Sequence, residues 1–97
     1  MKIIWAKSAR QDLREIETYI AEDDQTAAYN MILKIIDKVE TLLTIGTSIG
    51  RAGRIIGTRE LVIQKTPYIV IYSVSETNVN ILRVIHEARK WTENLLK

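Results

Sequence analysis

Three stretches decide the fold: Gly57-Thr-Arg-Glu-Leu-Val-Ile63, Thr66-Pro-Tyr-Ile-Val-Ile-Tyr72 and Val79-Asn-Ile-Leu-Arg-Val-Ile-His86. Each is short, rich in β-branched and aromatic residues and bounded by turn formers, the pattern of a strand. Residues 58–64 and 68–74 flank Lys65-Thr-Pro67, and Pro67 sits at a strand start, where a missing N–H is tolerated. The polar turn Ser75-Glu-Thr-Asn78 leads into the last strand. Strict alternation there puts Val79, Ile81, Arg83 and Ile85 on one face and Asn80, Leu82, Val84 and His86 on the other. Both faces are apolar in the middle, which predicts a strand covered on both sides. One cover is a helical layer, the other the C-terminal segment 87–97 or a partner chain.

Working outward, Lys2 to Trp5 reads as an opening strand. Ser8, with Gln11 three residues on, predicts a capping box at the start of a helix. Ala9, Leu13, Ile16 and Ile20 form its apolar stripe, with Asp12, Arg14, Glu15 and Glu17 assigned to the solvent side. Glu22-Asp-Asp24 closes that helix and opens a second, because a carboxylate suits a helix N-terminus. The second carries Ala28, Ile32, Ile35, Val39 and Leu42 at helical spacing, widened by Ile36 and Leu43. The expectation is an α+β fold over residues 1–97 as a single domain: N-terminal strand, α-helical hairpin, three-stranded antiparallel meander, short C-terminal segment. All four glycines lie between positions 46 and 57, which predicts a flexible loop; no phosphate-cradling glycine spacing is present.

Composition limits the chemistry. With 46% hydrophobic and 27% charged residues the chain is an ordinary globular domain. No cysteine and one histidine leave no nitrogen-and-sulfur metal site and no thiolate nucleophile. No cofactor is implied. The apolar run at the N-terminus is too short for a signal peptide and nothing later approaches a membrane span, so the expected location is the cytoplasm. Net charge is +2, unevenly placed: residues 1–40 hold six Lys/Arg against eight Asp/Glu, residues 41–97 eight against four. A basic strand-rich half fits an acidic partner, RNA, DNA or an acidic protein segment; a solvated surface is the plainer reading.

The candidate site residues are Arg59, Lys65, Tyr68, Tyr72, Arg83, His86 and Arg89. A histidine between arginines at a strand end fits general acid–base work on a phosphodiester. It equally fits a ring packed on a sheet edge and hydrogen-bonded to backbone. Arg59 and Arg83, on strands, need water, a carboxylate or a ligand, and Glu60 and Glu87 are available to them. Tyr68 and Tyr72, with Val70 between them, read as core, as does Trp5; Trp91 reads as an anchor for the tail.

The order and spacing of several motifs resemble the RelE/ParE family of bacterial toxins. They are Trp5-Ala-Lys-Ser-Ala9, Asp12-Leu13 with Ile16 and Tyr19-Ile20, Gly50-Arg51, Gly57-Thr-Arg-Glu-Leu61, Pro67-Tyr-Ile-Val-Ile-Tyr72, and Ile81-Leu-Arg-Val-Ile-His86 through Arg89-Lys-Trp91. The resemblance implies a toxin of a type II toxin–antitoxin module, associated with plasmid stabilisation and growth arrest. It also implies a cognate antitoxin that wraps and blocks the toxin, with operator DNA bound only through the antitoxin complex. RelE-like members cut mRNA on the ribosome with basic residues on an open sheet face, one of them an arginine in the middle strand. Here Ile69 takes that place, and an isoleucine cannot neutralise a scissile phosphate, a loss of several kcal/mol of transition-state stabilisation. Pro67-Tyr68 instead looks like the ParE branch, whose members act on DNA gyrase and are not nucleases. The resemblance therefore implies a non-enzymatic gyrase inhibitor with target-binding residues Arg59, Arg83, His86, Arg89 and Trp91. The alternative is a metal-independent ribonuclease using His86, Arg83 and Arg59, with the ribosome and mRNA as partners.

Overall fold

The computed structural model describes residues 1–88 and 93–96. The elements run β1 (Lys2–Trp5), α1 (Lys7–Ala21), α2 (Gln25–Ile45), β2 (Arg51–Ala52), β3 (Arg59–Val62), β4 (Tyr68–Val74), β5 (Asn78–His86) and a 3-10 turn, Glu93–Leu96. The five strands form one mixed sheet in the order β1-β5-β4-β3-β2. β1 lies parallel to β5 and the other pairs are antiparallel. The expected α+β architecture is present, with the meander enlarged at one edge by β2 and at the other by β1.

The helical hairpin covers one sheet face. Ala9 and Leu13 of α1 and Ile35, Val39 and Leu43 of α2 pack on Leu61, Val70, Tyr72, Ile81 and Val84. The turn between the helices follows the carboxylate logic: Asp24 caps α2, its Oδ1 accepting the Ala27 N–H at 3.0 Å. The capping box expected at Ser8 does not form. Ala6 is the N-cap and has no side-chain hydrogen bond. Its N–H bonds the Ile81 carbonyl at 2.9 Å, so the chain leaves the sheet directly into the helix and strand pairing fixes the start of α1.

The faces of β5 also differ from strict alternation. The pairing runs Ile71 with Arg83 and then Tyr72 with Ile81, leaving Leu82 as an extra residue, a β-bulge. Beyond it the faces swap: Val84 joins Val79 and Ile81 beneath the helices, while Ile85 turns to the opposite face. There Ile71 and Ile85 meet Leu95 of the 3-10 turn, with Ile55, Leu82 and Leu96 around them. The chain's own C-terminal segment thus covers this part of the second face.

The glycine-rich loop is more ordered than its composition predicts. Tyr72, fully buried, accepts the Gly50 N–H at 2.9 Å and donates to the Thr47 carbonyl at 2.8 Å. A Cβ on Gly50 would stand 2.5 Å from that hydroxyl and 2.9 Å from the Glu60 carbonyl oxygen, so only glycine fits there. No described helix is long and apolar enough to cross a membrane.

Candidate target-binding site

The expected site residues fall into separate places. Arg59, on β3, is opposite Tyr72, whereas His86, on β5, is opposite Tyr68. Tyr68 and Tyr72 are four residues apart on β4, about 13 Å along a strand. The structure therefore does not bring Arg59 to His86. Its Nη1 instead donates to the Gly50 carbonyl at 2.7 Å, tying down the 46–50 loop. Arg89 and Trp91 lie outside the described residues.

Arg83 makes a two-pronged ion pair with Asp12 of α1, Nε to Oδ2 at 2.7 Å and Nη2 to Oδ1 at 2.9 Å. Asp12 Oδ2 also accepts the Val84 N–H at 2.9 Å. Pairing of β1 with β5 stops at Trp5 and Ile81, so beyond that point the β5 edge has no neighbouring strand among the described residues. The carboxylate stands in for the missing strand. On its other side Arg83 Nη1 donates to the Leu95 carbonyl, which fastens the C-terminal turn. The hydrogen bond to Asp12 raises the guanidinium pKa above its ordinary value, against the opposing effect of burial. Neither Glu60 nor Glu87 is the partner of Arg83. Asp12, assigned to solvent from the sequence, is only 6% exposed. The signal was present: it lies three residues after Ala9 and beside Leu13, inside the apolar stripe.

Glu60, offered from the sequence as a partner for Arg59, serves other arginines. It is 2% exposed and accepts Arg51 Nε at 3.1 Å and Nη2 at 2.9 Å on Oε1. Its Oε2 takes the Arg54 N–H at 2.8 Å, and Arg54 Nε lies 3.7 Å from Oε1.

Near His86 an open cleft of about 270 Å³ runs between α1 and the ends of β4 and β5, lined by Asp12, Glu15, Ile16, Tyr19, Tyr68, Val84 and His86. The imidazole packs edge-on against the Tyr68 ring, centroids 5.6 Å apart, and its Nδ1 accepts the Ala88 N–H at 3.1 Å. In the neutral ring that bond leaves the proton on Nε2, a donor on an exposed side chain. Burial raises the Tyr68 phenol above its ordinary value of 10.0, and Tyr19 adds to the shift. The neutral phenol is therefore favoured by the fold, and stability falls as pH climbs past about 10. Alkaline unfolding curves of Tyr68→Phe are expected to lack that part of the loss.

The lining of the cleft is acidic at Asp12 and Glu15 and aromatic at Tyr19 and Tyr68, with one imidazole donor. No group of three metal-ligating side chains occurs among the described residues. A small mixed sheet lies under a helical hairpin, with an open acidic–aromatic cleft at its edge. Residues 3–91 match the family model described as ParE toxin of type II toxin-antitoxin system, parDE, and the chain belongs to that family. It is 40% identical over 94 residues to the protein named "Putative toxin Y4kP" from Sinorhizobium fredii (strain NBRC 101917 / NGR234), covering 97% of this chain and 96% of the relative. A solved structure titled "Chromosomal ParDE TA system from P. aeruginosa" superposes with a TM-score of 0.80 at 24% identity, over 89% of this chain and 95% of that one, a likeness of fold. The chain is thus a ParE toxin of a type II toxin–antitoxin system, and its partner is an antitoxin protein.

Proposed function

We propose that this toxin arrests growth by binding DNA gyrase and stabilising its cleaved-DNA state, catalysing no reaction itself, until a cognate ParD-type antitoxin neutralises it. One observation carries this reading over mRNA cleavage. The middle strand β4 has no cation, and Tyr68, Ile69, Val70, Ile71 and Tyr72 are all buried. Ile69, in the place where RelE-like nucleases carry an arginine, is packed inside. The second sheet face bears the C-terminal turn where an open cationic surface would be needed. Arg83 is engaged by Asp12, and Arg59 lies toward the other end of the sheet from His86. The target-binding surface is assigned to the His86 end and the following segment with Arg89 and Trp91.

Induction of the toxin alone in a bacterium tests this, with an SOS reporter followed beside pulse-labelled protein synthesis. The expected result is early SOS induction with translation initially intact. Immediate translational arrest with cut mRNA would overturn it and turn attention to His86 as an acid–base group.

A further inference from the structure

The cleft beside His86 is chemically one-sided. Its lining holds two carboxylates, two phenols, one imidazole and two aliphatic side chains, with no lysine or arginine. Asp12 is saturated: Oδ2 accepts Arg83 Nε and the Val84 N–H, and Oδ1 accepts Arg83 Nη2. Glu15, exposed one turn further along α1, has no hydrogen bond or ion pair among the described residues. Arg83 does not serve it. That guanidinium is held above its ordinary pKa foremost by the hydrogen bond to Asp12 and last by Glu15. Its three nitrogens donate to Asp12 and to the Leu95 carbonyl. Tyr19 is 72% exposed, yet close enough to Tyr68 to add to the rise that burial gives the Tyr68 phenol.

The surroundings leave this imbalance in place. The adjoining groove on α1 shares Glu15 and Tyr19 and adds Arg14 and Glu22, one charge of each sign. Lys65 precedes Tyr68 by three residues and Glu87 follows His86, again one of each. A phosphate or carboxylate would meet Glu15 with no cation in the lining to hold it. A metal ion would find one free carboxylate and an imidazole whose Nδ1 is already bonded, and no group of three metal-ligating side chains occurs among the described residues. A cationic side chain fits each part. Ile16 and Val84 give apolar cover to an aliphatic stem, a tyrosine ring gives a face to a cation, and Glu15 gives an acceptor. At about 270 Å³ the cleft lies below the roughly 300–1,000 Å³ of pockets that enclose whole small molecules, and it suits one side chain reaching in from solvent.

We propose that the cleft is a socket for one arginine side chain presented by a partner protein, its stem on Ile16 and Val84 and its guanidinium against the Tyr19 ring and bonded to Glu15. Arginine is favoured over lysine because a planar guanidinium stacks on a phenol ring while two of its N–H groups reach a carboxylate, which a point-charge ammonium does not do. The socket lies on the surface assigned to target binding, and it holds whether antitoxin or gyrase presents the arginine.

The full chain, separated from its antitoxin, is titrated with N-acetyl-arginine amide and followed by NMR shifts. The lysine analogue and the citrulline analogue, which keeps the shape without the charge, are run beside it. Saturable shifts at Ile16, Val84 and His86 are expected at millimolar arginine, with weaker binding of lysine and none of citrulline. Tyr19→Ala and Glu15→Gln alter exposed side chains and leave the core in place. Each is expected to weaken arginine binding about threefold. No saturable shift at these residues, equal binding of either analogue, or arginine binding that neither variant alters overturns the socket. Antitoxin affinity and gyrase poisoning are then measured in both variants. A drop of about tenfold in antitoxin affinity supports the socket with the antitoxin as the source of the arginine, and a matching drop in poisoning supports it with gyrase as the source. Both unchanged, with arginine binding weakened, overturns its use by a partner. A wild-type chain that binds arginine in the cleft and leaves gyrase untouched sinks the gyrase reading and keeps the socket.

Discussion

Asp12→Ala is expected to destabilise the toxin by about 3–5 kcal/mol, because it strands a charged partner that the fold has largely removed from water. Arg83 would keep its contact with the Leu95 carbonyl but lose both bonds to the carboxylate, and the Val84 N–H would lose its acceptor. The polar tie between α1 and the unpaired edge of β5 is lost, while the C-terminal turn keeps its bond to Arg83. In a domain of 97 residues each kcal/mol moves the melting temperature by roughly 4–8 °C, so the change is large. The double variant Asp12→Ala/Arg83→Met removes the stranded charge and is expected to recover a substantial part of the loss. Urea unfolding of the two singles and the double gives the coupling directly. A double variant no more stable than the singles would show that packing, not the stranded charge, sets the cost. The pair also bears on how toxicity data are read: loss of activity in Arg83→Ala would reflect the fold before it reflected contact with a target.

Tyr72→Ala is the second large effect, about 3–5 kcal/mol from the cavity alone, since the ring is wholly buried beneath the helices. Its hydroxyl adds a separate share. It joins the Gly50 N–H and the Thr47 carbonyl, 22 and 25 residues away in sequence, and so fixes the connection from α2 into β2. Tyr72→Phe isolates this share and is expected to cost about 1–3 kcal/mol. Hydrogen exchange at the Gly50 amide should accelerate in Tyr72→Phe while the amides of β4 remain protected. Equal acceleration throughout the sheet would mean that the hydroxyl supports the whole core and not the loop.

Much of the fold is legible in the residues. Helical spacing from Ala9 to Ile20 and from Ala28 to Leu43, the carboxylate at Asp24, and Pro67 at the head of β4 each act locally, and each appears where its local physics puts it. What escapes is set by long-range partners. The helix start at Lys7 follows from the Ala6 N–H bonding Ile81, a contact invisible in Ser8 and Gln11. β2 is only Arg51–Ala52, too short to show a period, and it is held by the buried carboxylate of Glu60 across the pair. The bulge at Leu82 is hidden because apolar residues occupy both faces of β5; Arg83 beside it is a polar mark, which strict alternation put on the face of Val79 and Ile81.

The site was legible in its residue types more than in its grouping. His86 beside Tyr68, on the strand with Arg83, follows from antiparallel pairing. Asp12 as the partner of Arg83, 71 residues distant, does not follow from strand pairing, although its place in the apolar stripe of α1 marked it as buried. Arg59 was grouped with His86 as another strand cation, and the register separates them.

The most direct test of the central claim is a gyrase cleavage assay with the purified full chain, run beside mRNA on translating ribosomes. Accumulation of cleaved-DNA gyrase complexes, abolished by the antitoxin and accompanied by intact mRNA, is the predicted result. Cut mRNA with gyrase unaffected would contradict the account.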